Sequence, residues 1–235
     1  MALEEELKNL EVRKEKVHGR EREARQHAAG KLSAWERIQL LMDKDTFVET
    51  DVYLEHRCSY FGMDKNKTEG DGVIAGYGKV EGRTVCVYAQ DFTVFGGSIS
   101  EMNARKISNI QNKALQMEVP IVGLFDSGGA RVQEGILGLS GHGNIFFNNV
   151  KASGKIPQIS AIMGTCAGGA SYSPALTDFI IMVDETSNMF ITGPKVVKAA
   201  IGQTVTMDEL GGAEIHARIS GMADHVATDD EDCIR

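Results

Sequence analysis

Two glycine-rich segments carry the residues best suited to chemistry. They are residues 126–131 (Asp-Ser-Gly-Gly-Ala-Arg) and residues 164–170 (Gly-Thr-Cys-Ala-Gly-Gly-Ala). Each follows a short apolar run and leads into a segment able to form a helix, which predicts a strand, a tight turn and a helix start. Backbone amides at a helix start, kept accessible by glycine, can hold an anion. That anion can be a phosphate, or the oxyanion that forms when a thioester becomes an enolate.

A pair of ordinary turns is the competing interpretation. In an α/β fold, glycine at a turn often does no more than supply a positive φ. Two turns of the same pattern, 40 residues apart from Gly129 to Gly169, favour a shared function instead. Neither matches a phosphate loop, because no Lys-Ser or Lys-Thr pair follows the glycines, and neither has the spacing of a dinucleotide-binding motif.

Cysteine and histidine spacing predicts no metal site. The four cysteines, at positions 58, 86, 166 and 233, include no C-x-x-C pair, which also argues against a disulfide framework. Cys166 lies in the second turn, but no Asp or His stands near it in sequence, so we expect a small buried residue. The histidines at 56, 142, 216 and 225 show no i, i+4 pair, and we expect surface or satisfied core residues. Asp178 is expected to be a structural cap or turn residue.

Composition and charge describe a globular protein whose main partner is not nucleic acid. Of 235 residues, 42% are hydrophobic and 25% are charged, which is ordinary for a soluble protein. No apolar run approaches the roughly 18 to 20 residues of a membrane span, and the start lacks a secretory signal pattern. The net charge of −8 opposes binding to a phosphate backbone, which depends on lysine and arginine. We therefore expect a cytoplasmic protein with no direct membrane insertion.

Strands and helices alternate around the two turns. Residues 73–80 and 84–89 predict a β-hairpin, a capping box at Ser33 and Glu36 starts one helix, and residues 100–118 predict a long helix. This alternation indicates an α/β fold with a mostly parallel sheet, and it also fits a spiral of ββα units. No linker-like tract divides residues 1–235, so we expect one domain.

Three further segments show weaker patterns. Residues 1–30 are highly charged and predict a helical extension with a thin apolar stripe. The segment after Arg131 is interrupted by glycines, and we expect the next helix to begin only after Gly143. Residues 229–235 are acidic and show no pattern of core residues.

Five motifs closely resemble the carboxyltransferase subunit of biotin-dependent acyl-CoA carboxylases, of the propionyl-CoA carboxylase β type. They are residues 90–98 (QDFTVFGGS), 126–135 (DSGGARVQEG), 166–178 (CAGGASYSPALTD), 190–194 (FITGP) and 209–213 (ELGGA). The similarity extends from about residue 30 to residue 229. Five long motifs in family order are a specific signal.

The resemblance implies a crotonase-like fold, which is a spiral of ββα units. It also implies transfer of a carboxyl group from carboxybiotin to the α-carbon of an acyl-CoA such as propionyl-CoA. In that chemistry the biotin anion accepts the α-proton, so no side chain has to act as general base. The residues agree, since no Ser/His/Asp constellation or pair of carboxylates accompanies the turns.

The resemblance also assigns roles to residues of the glycine segments, through their backbone amides. The predicted catalytic residues are Gly128, Gly129, Gly168 and Gly169. The predicted acyl-CoA-binding residues are Gly96, Gly97, Ala130, Arg131, Ala167 and Ala170. The second turn is the stronger candidate for holding the enolate oxyanion. Arg131 is either a phosphate contact for CoA or part of a structural ion pair, and we favour the structural role.

Family members have a second, homologous half that supplies the biotin pocket, and this chain stops at Arg235, near the end of the first half. We expect a fragment or a split subunit that binds acyl-CoA and needs the missing half to complete transfer. The family further implies a biotin carboxyl carrier and a biotin carboxylase as partners, a homo-oligomer, no metal in this chain, and a mitochondrial matrix location if the source is eukaryotic.

Other functions fit the same residues. The carboxyltransferase subunit of a biotin-dependent, sodium-pumping decarboxylase acting on methylmalonyl-CoA would run the reaction in reverse with the same turns. A non-catalytic CoA-binding or assembly module would explain the missing half. A crotonase-type hydrolase is less favoured, because it usually needs a carboxylate near the second turn and Asp178 is the nearest one.

Overall fold

The structure is a computed structural model that describes residues 2–18 and 20–235. The helices are Ala2–Val17 (α1), Arg20–His27 (α2), Ala34–Leu41 (α3), Glu101–Met117 (α4), Ile136–Ala152 (α5), Pro194–Ile201 (α6), Met207–Gly211 (α7), Ala213–Ile215 (α8) and Asp230–Ile234 (α9). The strands are Val48–Thr50 (β1), Val73–Val80 (β2), Arg83–Gln90 (β3), Ile121–Ser127 (β4), Gln158–Ala167 (β5), Phe179–Val183 (β6), Asn188–Phe190 (β7) and His225–Ala227 (β8). The architecture is α/β, as the sequence predicts.

The strands form a single sheet in the order β1-β2-β3-β4-β5-β6-β8, and β7 pairs with the carboxyl end of β5. Strands β2 and β3 form the predicted antiparallel hairpin. Its turn residues Glu81 and Gly82 have φ of 50° and 78°, and their amides donate to the Asp43 carboxylate at 3.0 and 2.8 Å. From β3 to β8 the strands are parallel, so their carboxyl ends lie at one edge of the sheet.

Side chains of the sheet alternate between two cores. On β4, Ile121 and Phe125 belong to the core that includes α4 and α5, whereas Val122 and Leu124 belong to the core that includes α3 and α9. An extended strand imposes this period of two. Because helices cover both faces, the central strands are apolar on both sides, as is usual for parallel sheets.

Helix α5 begins earlier than predicted. The expectation of a glycine-broken segment up to Gly143 is wrong, because α5 starts at Ile136 and includes the glycines. A Cβ on Gly141 would lie 2.6 Å from the Cβ of Ala104 on α4. The glycine therefore allows two helices to approach closely, which is a packing requirement that the sequence pattern does not distinguish from a helix break.

The acidic C-terminal segment belongs to the core, contrary to prediction. Helix α9 buries Asp230 and Cys233. Asp230 Oδ2 accepts from the Leu32 amide and from Arg37 Nε, both at 2.8 Å. Arg37 is fully buried, so its charge depends on such partners. A buried ion pair leaves no hydrophobic pattern in the sequence, which explains the error.

The N-terminal segment forms two helices, α1 and α2, in place of the single predicted helix. Val17 packs into the core, and His18 stacks on Trp35 with ring centroids 3.7 Å apart. His18 Nε2 also lies 2.8 Å from Glu49 Oε2. These contacts fix the end of α1. The assignment of residues 1–235 to one domain, with an extension over residues 1–30, stays a prediction. Within residues 2–18 and 20–235, every helix is too short or too polar to cross a bilayer.

Candidate active site

Glycine segments from three successive parallel strands meet at the carboxyl edge of the sheet. Gly96 and Gly97 follow β3, Gly128 and Gly129 follow β4, and the second turn follows β5. The Gly128 amide donates to the Gly96 carbonyl at 2.8 Å. Gly97 has φ of 62°, and a Cβ there would lie 2.1 Å from the carbonyl oxygen of Asp126. The positive φ and the close approach of the Asp126 carbonyl both require glycine at position 97.

Gly129 brings the first turn against the second. Its φ is 100°, and a Cβ would lie 2.7 Å from the carbonyl oxygen of Ala167. Close to this contact, β4 and β5 pair through Ser127 and Cys166. The fold therefore brings together the segments 96–97, 128–131 and 167–170, which the sequence assigned to one site.

Amides of the first turn are already used within the protein. The Gly128 amide donates to Gly96 O, and the Gly129 amide donates to Ser127 Oγ at 3.2 Å. An amide that donates inside the protein has no proton left for a ligand. Ala130 is half-buried. This geometry favours a shaping role for Gly128 and Gly129 over the predicted donor role.

Strand β5 is longer than predicted and contains part of the expected second turn. It continues through Gly164 to Ala167, and its carboxyl end pairs with β7. Glycine is required at position 164 because a Cβ there would lie 2.2 Å from Oδ1 of Asp126. A glycine that admits a neighbouring side chain looks the same in sequence as one that makes a turn, and this is why the predicted turn start is wrong.

The turn itself lies at Gly168, where φ is 59° and a short 3-10 helix, Gly168–Ser171, begins. The first amides of a helix have no acceptor within it, and among the described residues no side chain caps this one. Gly168 and Gly169 are half-buried, whereas Ala170 is buried. The amides of this turn are therefore better placed than those of the first turn to hold an oxyanion.

His142 on α5, for which the sequence predicted no function, lies directly behind the second turn. A Cβ on Gly169 would lie 2.8 Å from Cδ2 and 2.9 Å from Nε2 of its ring. Nδ1 is 2.9 Å from Gly138 O, so in the neutral ring Nδ1 carries the proton and Nε2 the lone pair. Nε2 is buried without a partner among the described residues, which contradicts the expectation of a satisfied core histidine. Burial lowers the pKa of His142 and keeps the ring neutral near pH 7.

Arg131 is enclosed by protein groups. Its side chain is 1% exposed, Nη1 lies 2.6 Å from Asp71 Oδ1, and Nη2 donates to Ser98 O at 3.1 Å. The guanidinium also lies over the Phe95 ring, 4.7 Å from its centroid. A buried guanidinium with these partners is not accessible to a phosphate, so the contacts favour the structural role over a CoA contact.

A buried ion cluster fixes the end of β4 just before the first turn. Asp126 is fully buried, and its Oδ2 lies 2.6 Å from Lys31 Nζ and 3.5 Å from Arg37 Nη1. Arg37 also pairs with Asp230. Lys31 and Arg37 are close in sequence, but Asp126 and Asp230 are distant from them and from each other, and no local signal marked the four as a cluster.

Other polar candidates occupy structural positions. Cys166 is fully buried, and burial raises the pKa of its thiol, so it is a poor nucleophile. Asp178 accepts from the Gln158 amide at 2.8 Å, at the amino end of β5 and hence at the opposite end of that strand from the turn. Across the described ranges, no three His, Cys, Asp or Glu side chains are grouped to hold a metal ion.

Comparison with known proteins assigns the chain to a family. The family model described as the carboxyl transferase domain matches residues 25–235, so the chain belongs to the carboxyl transferase domain family. The methylmalonyl-CoA decarboxylase subunit alpha of Veillonella parvula is 55% identical over 92% of this chain. The mitochondrial propionyl-CoA carboxylase beta chain of Homo sapiens is also 55% identical over 92% of this chain.

A solved structure is similar over nearly the whole chain. The transcarboxylase 12S hexamer, with methylmalonyl-coenzyme A and methylmalonic acid bound, matches 99% of this chain with a TM-score of 0.93 and 48% identity. The predicted crotonase-like fold and the predicted carboxyltransferase family are thereby confirmed. The chain spans 42% of the Veillonella protein, 40% of the human protein and 45% of the transcarboxylase chain.

Proposed function

We propose that this chain is the acyl-CoA half of a biotin-dependent carboxyltransferase, which transfers a carboxyl group from carboxybiotin to the α-carbon of an acyl-CoA such as propionyl-CoA. The observation that carries the proposal is the meeting of three glycine segments beside the uncapped Gly168 turn. The choice of an acyl-CoA is supported by the names of the related carboxylases and by the methylmalonyl-coenzyme A in the transcarboxylase 12S structure.

In this proposal the second turn stabilises the enolate. Loss of the α-proton places negative charge on the thioester oxygen, and the amides of Gly168 and Gly169 hold that oxygen. A well-placed donor of this kind lowers a barrier by about 3 kcal/mol. The residues that line the acyl-CoA site are Gly96, Gly97, Gly128, Gly129, Ala130, Ala167 and Ala170.

Biotin, bound to a partner carrier, supplies the carboxyl group in this class of reaction. The resemblance to the family assigns the biotin side to the second half of the carboxyltransferase. A biotin carboxyl carrier and a biotin carboxylase are the expected partners.

Exposed apolar side chains fit an oligomeric assembly. Ile136 and Phe147 on α5 are 74% and 68% exposed, and Ile191 before α6 is 68% exposed. Residues 11 positions apart on a helix, such as Ile136 and Phe147, lie on the same face, and an apolar face left exposed marks an interaction site. The similar transcarboxylase 12S is described as a hexamer, and we expect this chain to form a homo-oligomer in the cytoplasm or, in a eukaryote, in the mitochondrial matrix.

The reverse reaction is the second candidate. Methylmalonyl-CoA decarboxylase subunits alpha from Veillonella parvula and Propionigenium modestum are 55% and 52% identical to this chain. The same amides would hold the same enolate in either direction. A crotonase-type hydrolase is not favoured, because Asp178 lies at the amino end of β5, away from the turn.

A carboxyl-exchange assay tests the proposal. The chain is mixed with the second half of a propionyl-CoA carboxylase beta chain, methylmalonyl-CoA and free biotin, and propionyl-CoA is measured by mass spectrometry. Proline at position 168 removes the amide and cannot adopt the φ of 59°, so we expect Gly168→Pro to lower exchange by roughly 100-fold or more.

The matched control is Gly154→Pro in the loop before β5. Gly154 also has a positive φ, 72°, and lies in open space, so its backbone cost is similar and its amide is not in the site. Equal exchange by both variants would argue against a catalytic amide at position 168. Binding of propionyl-CoA with no exchange by the unmodified chain would instead identify a non-catalytic CoA-binding module.

A further inference from the structure

Helix α5 contacts both glycine turns through one face. Near its start, Gly138 approaches the end of the first turn so closely that a Cβ would lie 3.2 Å from the carbonyl oxygen of Ile99 and 3.3 Å from that of Arg131. One helical turn later, the ring of His142 lies behind Gly169 of the second turn. Because residues four positions apart lie on the same side of a helix, α5 forms a rigid link between the two turns.

The ring of His142 supports the backbone of Gly169 from the inside. The three heavy atoms nearest to a Cβ at this position are all in that ring, namely Cδ2 at 2.8 Å, Nε2 at 2.9 Å and Cγ at 3.3 Å. Two successive glycines give the turn more conformational freedom than other residues would. Its carbonyls are held, because Gly168 O accepts from Ser171 Oγ at 2.7 Å and Gly169 O accepts from the Tyr172 amide at 3.3 Å. The ring then limits how far the backbone of Gly169 can move inward.

The ring itself is held in one orientation. Its Nδ1 is 2.9 Å from Gly138 O, and its centroid is 5.8 Å from that of Phe146. The Phe146 ring in turn packs against Tyr172, with centroids 5.9 Å apart, and Tyr172 directly follows the 3-10 helix of the second turn. These contacts run from the turn to α5 and back to the turn, so the ring cannot rotate without breaking one of them.

The surroundings of His142 suit only its neutral form. A second proton would go to Nε2, which is buried without a partner among the described residues. The cavity beside the ring has a volume of about 10 Å³, room for at most about one water molecule. In the described part of the chain, its lining from β3, α4, β4, α5 and the second turn is uncharged, and Tyr88 is the one other titratable group there. Burial raises the pKa of Tyr88, so the lining offers an imidazolium no counterion.

We propose that the neutral ring of His142 is a positioning residue for the enolate, because it holds Gly169 where the amides of the second turn face the thioester oxygen, and that a proton on Nε2 removes this support. This inference rests on the proposed function. The ring lies behind the turn and exchanges no proton with the acyl-CoA. It improves the alignment of amides that act most strongly on the charged transition state, so its loss lowers kcat with little effect on KM.

The carboxyl-exchange assay with the second half, methylmalonyl-CoA and free biotin tests this role through kcat and KM for methylmalonyl-CoA. At about pH 8, where the ring is neutral, we expect His142→Ala to lower kcat by roughly 10- to 100-fold and to change KM by less than about threefold. His142→Phe fills the same space with a ring that cannot be protonated, and it should restore kcat to within about threefold of the unmodified chain.

The pH dependence of kcat separates the ring's charge from its volume. The pKa of His142 lies below its ordinary value of 6.5, so the neutral ring is present above that pH and is lost as the pH falls through the pKa. We expect kcat of the unmodified chain to decrease below about pH 6.5 and kcat of His142→Phe to decrease less. The control is His225→Ala, which changes an exposed histidine on β8 and should follow the unmodified chain.

The opposite results overturn different parts of the inference. An unchanged kcat in His142→Ala overturns the positioning role and leaves the proposed function standing. An equal decrease of kcat with acid in the unmodified chain and in His142→Phe overturns the effect of the proton. Far-UV circular dichroism measures the folded fraction at each pH, and a loss of kcat that only follows this fraction shows a role in stability and overturns positioning. No exchange by the unmodified chain at any pH overturns the proposed function and this inference with it.

Discussion

Alanine at Gly169 should introduce a steric clash behind the second turn. The new Cβ would lie 2.8 Å from Cδ2 and 2.9 Å from Nε2 of His142, closer than carbon atoms approach without repulsion. The ring cannot easily move away, because it is buried and its Nδ1 is hydrogen-bonded to Gly138 O at 2.9 Å. Gly169 does not have a positive φ, so the clash is the main cost of the substitution.

The magnitude follows from the cost of overpacking a core. We expect Gly169→Ala to lower the free energy of unfolding by about 1–3 kcal/mol. His142→Ala removes the ring and with it the clash, at its own cost of lost packing. The double variant should therefore be more stable than the sum of the two single changes predicts, with a coupling energy of about 1–3 kcal/mol.

Gly168→Ala is the matched control for this cycle. Gly168 has φ of 59°, and its nearest neighbour atom would be 3.7 Å from a Cβ, so alanine there costs backbone strain of about 1–2 kcal/mol that His142→Ala cannot relieve. Urea unfolding measures the free energy of unfolding of each variant, provided that its slope m against urea concentration is the same in all variants. A coupling energy between Gly169→Ala and His142→Ala below about 0.5 kcal/mol would refute the steric argument. Equal coupling energies of His142→Ala with Gly169→Ala and with Gly168→Ala would refute it as well.

Three further predictions concern buried groups. Arg37→Met leaves Asp230 buried without its cation, and we expect the free energy of unfolding to fall by about 3–5 kcal/mol in a urea titration. Burial lowers the pKa of His142 below its ordinary value of 6.5, so the unfolded chain binds this proton more readily. The contribution of His142 to stability is then complete above about pH 6.5 and decreases as the pH falls below it, and His142→Phe should flatten that decrease. Burial raises the pKa of the Cys166 thiol, so iodoacetamide should label the half-buried Cys58 first, as read by peptide mass spectrometry.

Each of these predictions has a result that contradicts it. Arg235 is an exposed arginine, and a loss from Arg37→Met no larger than that from Arg235→Met would show that the buried cluster does not stabilise the fold. A pH profile of stability that His142→Phe leaves unchanged would mean that the pKa of His142 is not lowered. Native labelling of Cys166 as fast as that of Cys58 would show that the end of β5 opens readily.

Local elements were predictable because their determinants are neighbours in sequence. The capping box of Ser33 and Glu36 is present, and the predicted hairpin pairs β2 with β3. The glycines at 141 and 164 were misread, because each is required by a distant side chain, that of Ala104 or of Asp126. Spacing along the chain carries no information on such contacts.

By itself, the sequence determined the family, the α/β fold and the two strand ends whose glycines form the candidate site. Only the tertiary structure decided which of the amides are engaged, because the Gly128 amide is bound to Gly96 O from a separate segment. It alone placed His142 behind Gly169, and Arg25 and Lys65 in the lining of one cleft. Hydrogen bonds, steric contacts and electrostatic attraction depend on distances in space, and residues far apart in sequence acquire those distances only when the chain folds.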